Sequence, residues 1–190
     1  MTFNKPKYIV LHTSDLSYQT HPHQLLPINE YHRDVRKFPE STLGYHVGYH
    51  RLYTSGTRYI TRRYDEEGAH CNDVVNGLSM NFQSVGLCIG FDGDIEAPPE
   101  KELNLMIEDI KWLMYFYNIP RENIKLHRDF NKGKTCPGLL LPDNWGQLLL
   151  QRGVKPAEEL SKQKQLEDIA KRISYLRYLL ELLKVKVGIK

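Results

Sequence analysis

Three short apolar runs, each too brief for a helix, set the limits on what this chain folds into. They are Tyr8-Ile-Val-Leu-His12, Ser84-Val-Gly-Leu-Cys-Ile-Gly90 and a run from Ile124 that ends at His127. Runs of this length, bounded by turn-forming residues, read as strands. Between the last two lies a strong helix opened by Pro98-Pro-Glu100, acidic at its start, with Leu103, Ile107, Ile110 and Met114 as a core stripe and a stop near Asn118-Ile-Pro120. Ile28 to Phe38 also has helical spacing, with Ile28, Tyr31 and Val35 on one face and His32 read as packing or surface. Pro142 to Leu150 is a short docking helix carrying Trp145, Leu148 and Leu149. Strands that alternate with helices predict an α/β domain, a mixed central β-sheet flanked by helices, ending near Arg152.

The segment Leu43-Gly-Tyr-His-Val-Gly-Tyr-His50 alternates so that Tyr45, Val47 and Tyr49 share one face and His46, Gly48 and His50 the other. With the Ser55-Gly56 turn and Arg58-Tyr-Ile-Thr-Arg62 it predicts a hairpin. Gly68-Ala-His-Cys-Asn72 reads as loop, with Cys71 a loop thiol, and Cys88 as a small buried apolar residue. The Gly90-Phe-Asp-Gly-Asp94 cluster lacks the ligand spacing of a calcium loop and reads as a turn.

At 190 residues the chain has room for one full domain and a small appendage. The appendage is visible as a change of pattern. Residues 1–152 form the predicted α/β domain, 153–157 a joint, and 158–187 an amphipathic helix. In that helix Leu166, Ile169, Ile173, Leu176, Leu180, Leu183 and Val187 follow a heptad seam. Such a helix docks on its own domain, joins protomers, or lies on an anionic surface. Residues 155–190 hold nine Lys/Arg against five Asp/Glu, so the rest of the chain carries 17 against 18. The basic excess is confined to the tail, and the main domain is not expected to bind nucleic acid.

Three cysteines, Cys71, Cys88 and Cys136, are too few for a disulfide framework. No apolar signal-peptide core follows the N-terminal Met-Thr-Phe-Asn-Lys-Pro-Lys, and no run of about 18 apolar residues occurs. The expectation is a chain made in a reducing cytoplasm with thiols free for metal.

One loop concentrates chemistry. His127 closes a strand, and Lys134, Thr135 and Cys136 follow before Pro137-Gly138. Imidazole and thiolate together suit zinc far better than magnesium or calcium, which want oxygen. From spacing alone, a metal loop and an ordinary structural loop both remain open.

Six segments, taken in order, resemble the zinc-dependent N-acetylmuramoyl-L-alanine amidase family, shared by phage-type amidase lysins and peptidoglycan recognition proteins. They are Ile9-Val-Leu-His-Thr13, Leu43-Gly-Tyr-His46, Gly68-Ala-His70, Asn81-Phe-Gln-Ser-Val-Gly86, His127-Arg-Asp129 and Lys134-Thr-Cys-Pro-Gly138. The resemblance covers about residues 7–150. It implies zinc held by His12, His127 and Cys136, with a fourth position open to water. It further implies hydrolysis of the amide between the lactyl group of N-acetylmuramic acid and L-alanine, with peptidoglycan or a muropeptide as substrate. Tyr45 and Lys134 become the catalytic pair, and His70, His46 and Thr135 the substrate-facing residues. Thr135 is also the alternative to Lys134 as the polar group facing zinc. Some members carry a glutamate base on the strand after Ser-Ile-Gly. Here that position is Cys88, which points to the tyrosine–lysine pairing of phage-type members. A wall-degrading enzyme of endolysin type, acting on the wall after release, is the expected use. A non-catalytic peptidoglycan-binding module and a cytoplasmic muropeptide-recycling amidase are the alternatives.

Overall fold

The computed structural model describes residues 4–152; the joint and the heptad helix predicted at 153–157 and 158–187 lie outside the described residues. The chain follows the order β1 (Tyr8–Thr13), α1 (Leu25–Asp34), β2 (Arg51–Thr54), β3 (Thr57–Ile60), β4 (Val74–Val75), β5 (Leu78–Ser79) and β6 (Ser84–Ile89). It continues through α2 (Glu100–Tyr117), β7 (Ile124–Leu126), α3 (His127–Phe130) and α4 (Trp145–Leu149). Five strands form one mixed sheet in the order β3-β2-β6-β1-β7. β1 pairs in parallel on both sides, Val10 opposite Gly86 of β6 and opposite Lys125 of β7. β6 in turn pairs in parallel with β2, and only the β2–β3 hairpin is antiparallel.

The two-residue period of a strand sorts side chains between the faces of this sheet. Ile9 and Leu11 of β1, and Val85, Leu87 and Ile89 of β6, share the main core with Leu103, Met106, Ile107, Ile110 and Leu113 of α2. Val10 lies in a separate cluster with Cys71 and Met80, and Cys88 in another with Ile28, Val47 and Leu52. His12 has the parity of Val10, so the strand carries its imidazole to the side away from α2. α2 begins after Pro98-Pro99 with Glu100 and Glu102 in its first turn, where they complement the exposed N–H groups. It ends where Asn118 turns left-handed (φ 52°) and its N–H bonds to the Met114 carbonyl. The helix is tied to the hairpin through Asp109, which accepts from Tyr53 Oη at 2.6 Å and pairs with Arg58 Nε at 2.9 Å.

Two local expectations are corrected. α1 starts and ends earlier than the sequence spacing indicates. Pro27 sits in its first turn, where its missing N–H costs nothing, and Lys37 at φ 55° prevents continuation to Phe38. Residues 43–50 form no strand. Gly44 is left-handed at φ 83°, and backbone donors of the segment go to side chains of α1, His46 N–H to Asn29 Oδ1 and Gly48 N–H to His32 Nδ1. The hairpin begins at Arg51, and its Ser55-Gly56 turn has both central residues at positive φ, the geometry that suits strand twist. Asn76-Gly77 makes the same kind of turn between β4 and β5. No helix among the described residues is long and apolar enough to cross a membrane.

This packing gives a stability contrast along α2. Ile107→Ala should lower the unfolding free energy by about 2–5 kcal/mol, while Tyr115→Ala, 85% exposed on the same helix, should stay within about 0.5 kcal/mol. Urea denaturation of the two variants measures both; equal losses would contradict the assignment of the core face.

Candidate metal centre and cleft

β1 and β7 are parallel neighbours, so their C-terminal ends meet at the same edge of the sheet. His12 is the penultimate residue of β1, and His127 follows β7 directly. Cys136 returns to them on the loop after α3. The donor atoms of His12, His127 and Cys136 all lie within 4.8 Å of one another. Cys136 Sγ is 3.6 Å from His12 Nδ1, which leaves the other ring nitrogen of His12, Nε2, to bond His70 Nδ1 at 3.0 Å. Burial, then the neighbouring histidines, hold the His12 imidazole well below its usual pKa, in the neutral form that ligates metals. Burial pushes the Cys136 thiol up to about 12, with hydrogen bonds to Thr13 acting in the opposite direction. A thiol in that setting gives up its proton readily only when a cation takes the proton's place. Neutral imidazoles, a thiol and convergent spacing together fit a soft divalent metal.

The loop carrying Cys136 is clamped rather than free. Arg128 donates from Nη1 to the Thr135 and Gly138 carbonyls at 3.1 and 2.6 Å and from Nη2 to the Leu141 carbonyl at 2.5 Å. Its backbone N–H donates to the Cys136 carbonyl at 2.9 Å. Asp129 turns back to accept the Leu126 N–H. From the turn that follows β6, Asp94 accepts from Thr135 Oγ1 at 3.1 Å and from Leu139 N–H at 2.7 Å. Gly93 lies so close that a Cβ there would sit 2.0 Å from the Pro137 carbonyl oxygen, so the two backbones meet only because residue 93 has no side chain.

The three donors open onto a cleft of about 450 Å³, lined also by Asp15, His32, Arg36, Tyr49, His70 and Lys134. Sequence reasoning placed Lys134 and His70 at such a cleft, and both line it. Tyr45 does not. It packs against the Ile28, Val47, Leu52 and Cys88 cluster; the tyrosines lining the cleft are Tyr31 and Tyr49, and the ring centroid of Tyr49 is 5.1 Å from that of His12. The Gly-Tyr-His triplet occurs twice, at 44–46 and 48–50. Only the second runs straight into β2, and the non-strand path of 43–50 removes the shared-face argument. His46 is likewise outside the cleft lining, with its Nδ1–H donated to the Phe38 carbonyl at 2.9 Å. Thr135 is turned to Asp94 and lines a neighbouring surface groove instead.

His70 is less a wall than a support. It is 7% exposed, its ring fills the space left by Gly68 and Gly86, and its Nε2 has no hydrogen-bond partner. Asn81 Oδ1 fixes its position by accepting the N–H groups of both His70 and Cys71 at 2.9 Å. His50 is buried behind it, accepting Gly86 N–H on Nδ1 and donating Nε2–H to the Glu66 carbonyl, both at 3.0 Å. His32, Arg36 and Asp15 are cleft residues that sequence reasoning passed over. For His32 the signal was its place one turn after Ile28 on the buried side of α1.

A family model described as N-acetylmuramoyl-L-alanine amidase matches residues 2–139 of the chain. Among solved structures, the chain is similar to the N-acetylmuramoyl-L-alanine amidase LysC of Clostridium intestinale URNW, with TM-score 0.61 and 23% identity over 78% of this chain and 87% of that one. It is similar to a point variant of Drosophila PGRP-LB in complex with tracheal cytotoxin (TM-score 0.56, 24% identity, 74% and 80% covered). PGRP-SA of Apis mellifera is a further likeness (TM-score 0.59, 17% identity, 80% and 87% covered). At these identities the structural likeness is one of fold. No curated protein sequence matches the chain.

The buried histidines give the domain a pH profile. Burial brings His32 to about 4 and His50 to about 3. Above about pH 6.5 neither the folded nor the unfolded chain protonates them, and no penalty arises. As pH falls below that value the unfolded chain binds protons that the folded chain refuses, so stability is lost progressively down to about pH 3. The expected loss is on the order of a few kcal/mol, read as a falling urea midpoint in chelator-treated protein. A midpoint flat from pH 6.5 to 4 would contradict it.

Proposed function

The chain belongs to the N-acetylmuramoyl-L-alanine amidase family, and we propose that it is a zinc hydrolase of the amide between the muramic lactyl group and L-alanine of the stem peptide. The observation that carries this reading is the donor set at the cleft floor. Around a tetrahedral zinc, an imidazole nitrogen and a thiolate sulfur stand about 3.5 Å apart, and His12 Nδ1 and Cys136 Sγ are 3.6 Å apart with His127 beside them. His12, His127 and Cys136 are then the ligands. When bound, zinc supplies Lewis acidity that polarises a carbonyl and makes water nucleophilic near neutral pH.

The remaining chemistry falls to the chain. Burial raises the Tyr49 phenol well above its usual pKa, so it stays a neutral O–H donor beside the metal ligands. In this reading Tyr49 takes the role that the sequence gave to Tyr45: it orients the reacting carbonyl or water. Lys134, on the cleft rim, supplies positive charge to the oxyanion that forms as the amide is attacked. Its ammonium, or the phenol, returns a proton to the leaving amine. Arg36 and His32, which also line the cleft, are available to the stem peptide. Thr135 has a bracing role for the ligand loop. His70 acts on the metal through His12, whose ring it orients, and that kind of support raises ligand basicity and fixes the tautomer.

The use we assign is degradation of the intact wall, as in endolysins. Retention of Cys136 favours an enzyme over a purely binding module, because binding alone needs no thiolate at the cleft floor. Activity on soluble muropeptides with none on intact sacculi would move the assignment to a recycling enzyme.

Purified peptidoglycan should yield new L-alanine amino termini and no new reducing sugar ends. Cys136→Ser and His127→Ala should lose metal and cleavage together. Lys134→Ala and Tyr49→Phe should keep metal and lose about a hundredfold or more in kcat, while Tyr45→Phe keeps its rate. Metal analysis beside product mass spectrometry checks all of these. Full activity in metal-free Cys136→Ser, or new reducing ends, would overturn the proposal.

A further inference from the structure

His127 has a second set of neighbours outside the cleft. Asp73 Oδ2 is 3.8 Å from His127 Nε2 and 3.5 Å from Cys71 Sγ. The donor atoms of Cys71, Asp73 and His127 all lie within 4.8 Å of one another. A tetrahedral ion bound by thiolate, carboxylate and imidazole needs separations of about 3.4–3.6 Å between donors, so the two edges that meet at Asp73 are already close to ligand spacing.

These donors are held by their own frame. Cys71 N–H is fixed by Asn81 Oδ1, and the Asp73 carbonyl accepts the Met80 N–H at 2.8 Å, where the β4–β5 hairpin closes. The Cys71 thiol is buried among Val10 and Met80. The Asp73 and His127 side chains are 27% and 15% exposed, which leaves an ion a route in from solvent. A sulfur, a nitrogen and one carboxylate oxygen select zinc or cadmium over magnesium or calcium.

We propose that Cys71, Asp73 and His127 form a second, weaker soft-metal site that shares His127 with the catalytic ligands, and that filling it inhibits the enzyme. The inference rests on His127 serving the first site. Metal entry replaces the S–H proton of Cys71 with an S–metal bond and, with one nitrogen of His127 already given to the first ion, displaces the N–H proton of its other nitrogen; both protons go to water. The ion draws on an imidazole that the first site also needs, so occupancy of one site weakens or distorts the other. Excess zinc then acts as an inhibitor by way of Cys71 and Asp73, which take no part in the reaction themselves.

The test is a cadmium titration of the zinc-loaded full chain, followed by the ultraviolet cadmium–thiolate band and by metal analysis. A second equivalent should bind, and Cys71→Ser should lose it while keeping one zinc and the basal rate. Excess zinc should inhibit the native chain and spare Cys71→Ser. Because Cys71 is a core residue, Asp73→Asn serves as the second variant and should also lose the second equivalent. In Cys136→Ser the thiolate band from Cys71 should remain and vanish when Cys71→Ser is added. That arm reads the second site even if the catalytic assignment fails. Saturation of the native chain at one equivalent, or equal metal uptake and equal zinc inhibition in native, Cys71→Ser and Asp73→Asn chains, would overturn the proposal.

Discussion

Everything at the site depends on β1 being paired in parallel on both of its edges. Pairing with β7 brings His127 beside His12, and pairing with β6 puts Gly86 and the Gly93 turn where the ring of His70 and the Cys136 loop need room. A slip of one residue in β1 would turn His12 into the α2 core and Leu11 into the cleft, because alternate residues face opposite ways. The register is secured by the core itself: Ile9, Leu11, Val85, Leu87 and Leu126 are buried against α2.

The second constraint is the clamp on residues 128–141. A loop with several polar residues and two glycines would otherwise sample many conformations, and ordering each residue costs about 1–2 kcal/mol. Arg128 offsets this by donating to three carbonyls of the loop, while Asp94 accepts from two of its donors. The planar, forked guanidinium suits that task in a way an ammonium does not. His127-Arg-Asp129 therefore combines three jobs in consecutive residues: the proposed metal donor, a loop clamp and a turn that caps the strand end. Behind them, neutral buried histidines and a thiol held at about 12 leave the site short of positive charge at its centre. That is the environment a dication satisfies.

Much of this was legible in the sequence, and the gaps have physical causes. β1, β6 and α2 announce themselves because unbroken apolar runs and a 3.6-residue stripe are decided by burial. His127, Lys134 and Cys136 were found together because a short loop joins them, whereas His12 needed a likeness in several ordered segments. The alternation in residues 43–50 misled because it counts only side chains. The backbone N–H groups of His46 and Gly48 find acceptors on α1, and that outweighs the weak strand preference of a segment with two glycines. Tyr45 and Tyr49 are indistinguishable by triplet, and only the start of β2 separates them. The Asn76-Gly77 turn was readable and was overlooked, since its strands are only two residues long.

The central claim is that one imidazole from β1, one from the end of β7 and one thiolate from the clamped loop share a single ion. X-ray absorption at the zinc edge, on protein carrying one equivalent of zinc, tests it directly. The account expects one sulfur at about 2.3 Å and imidazole nitrogens at about 2.0–2.1 Å, with oxygen completing the shell. A shell of oxygen alone, or one without sulfur, would contradict it.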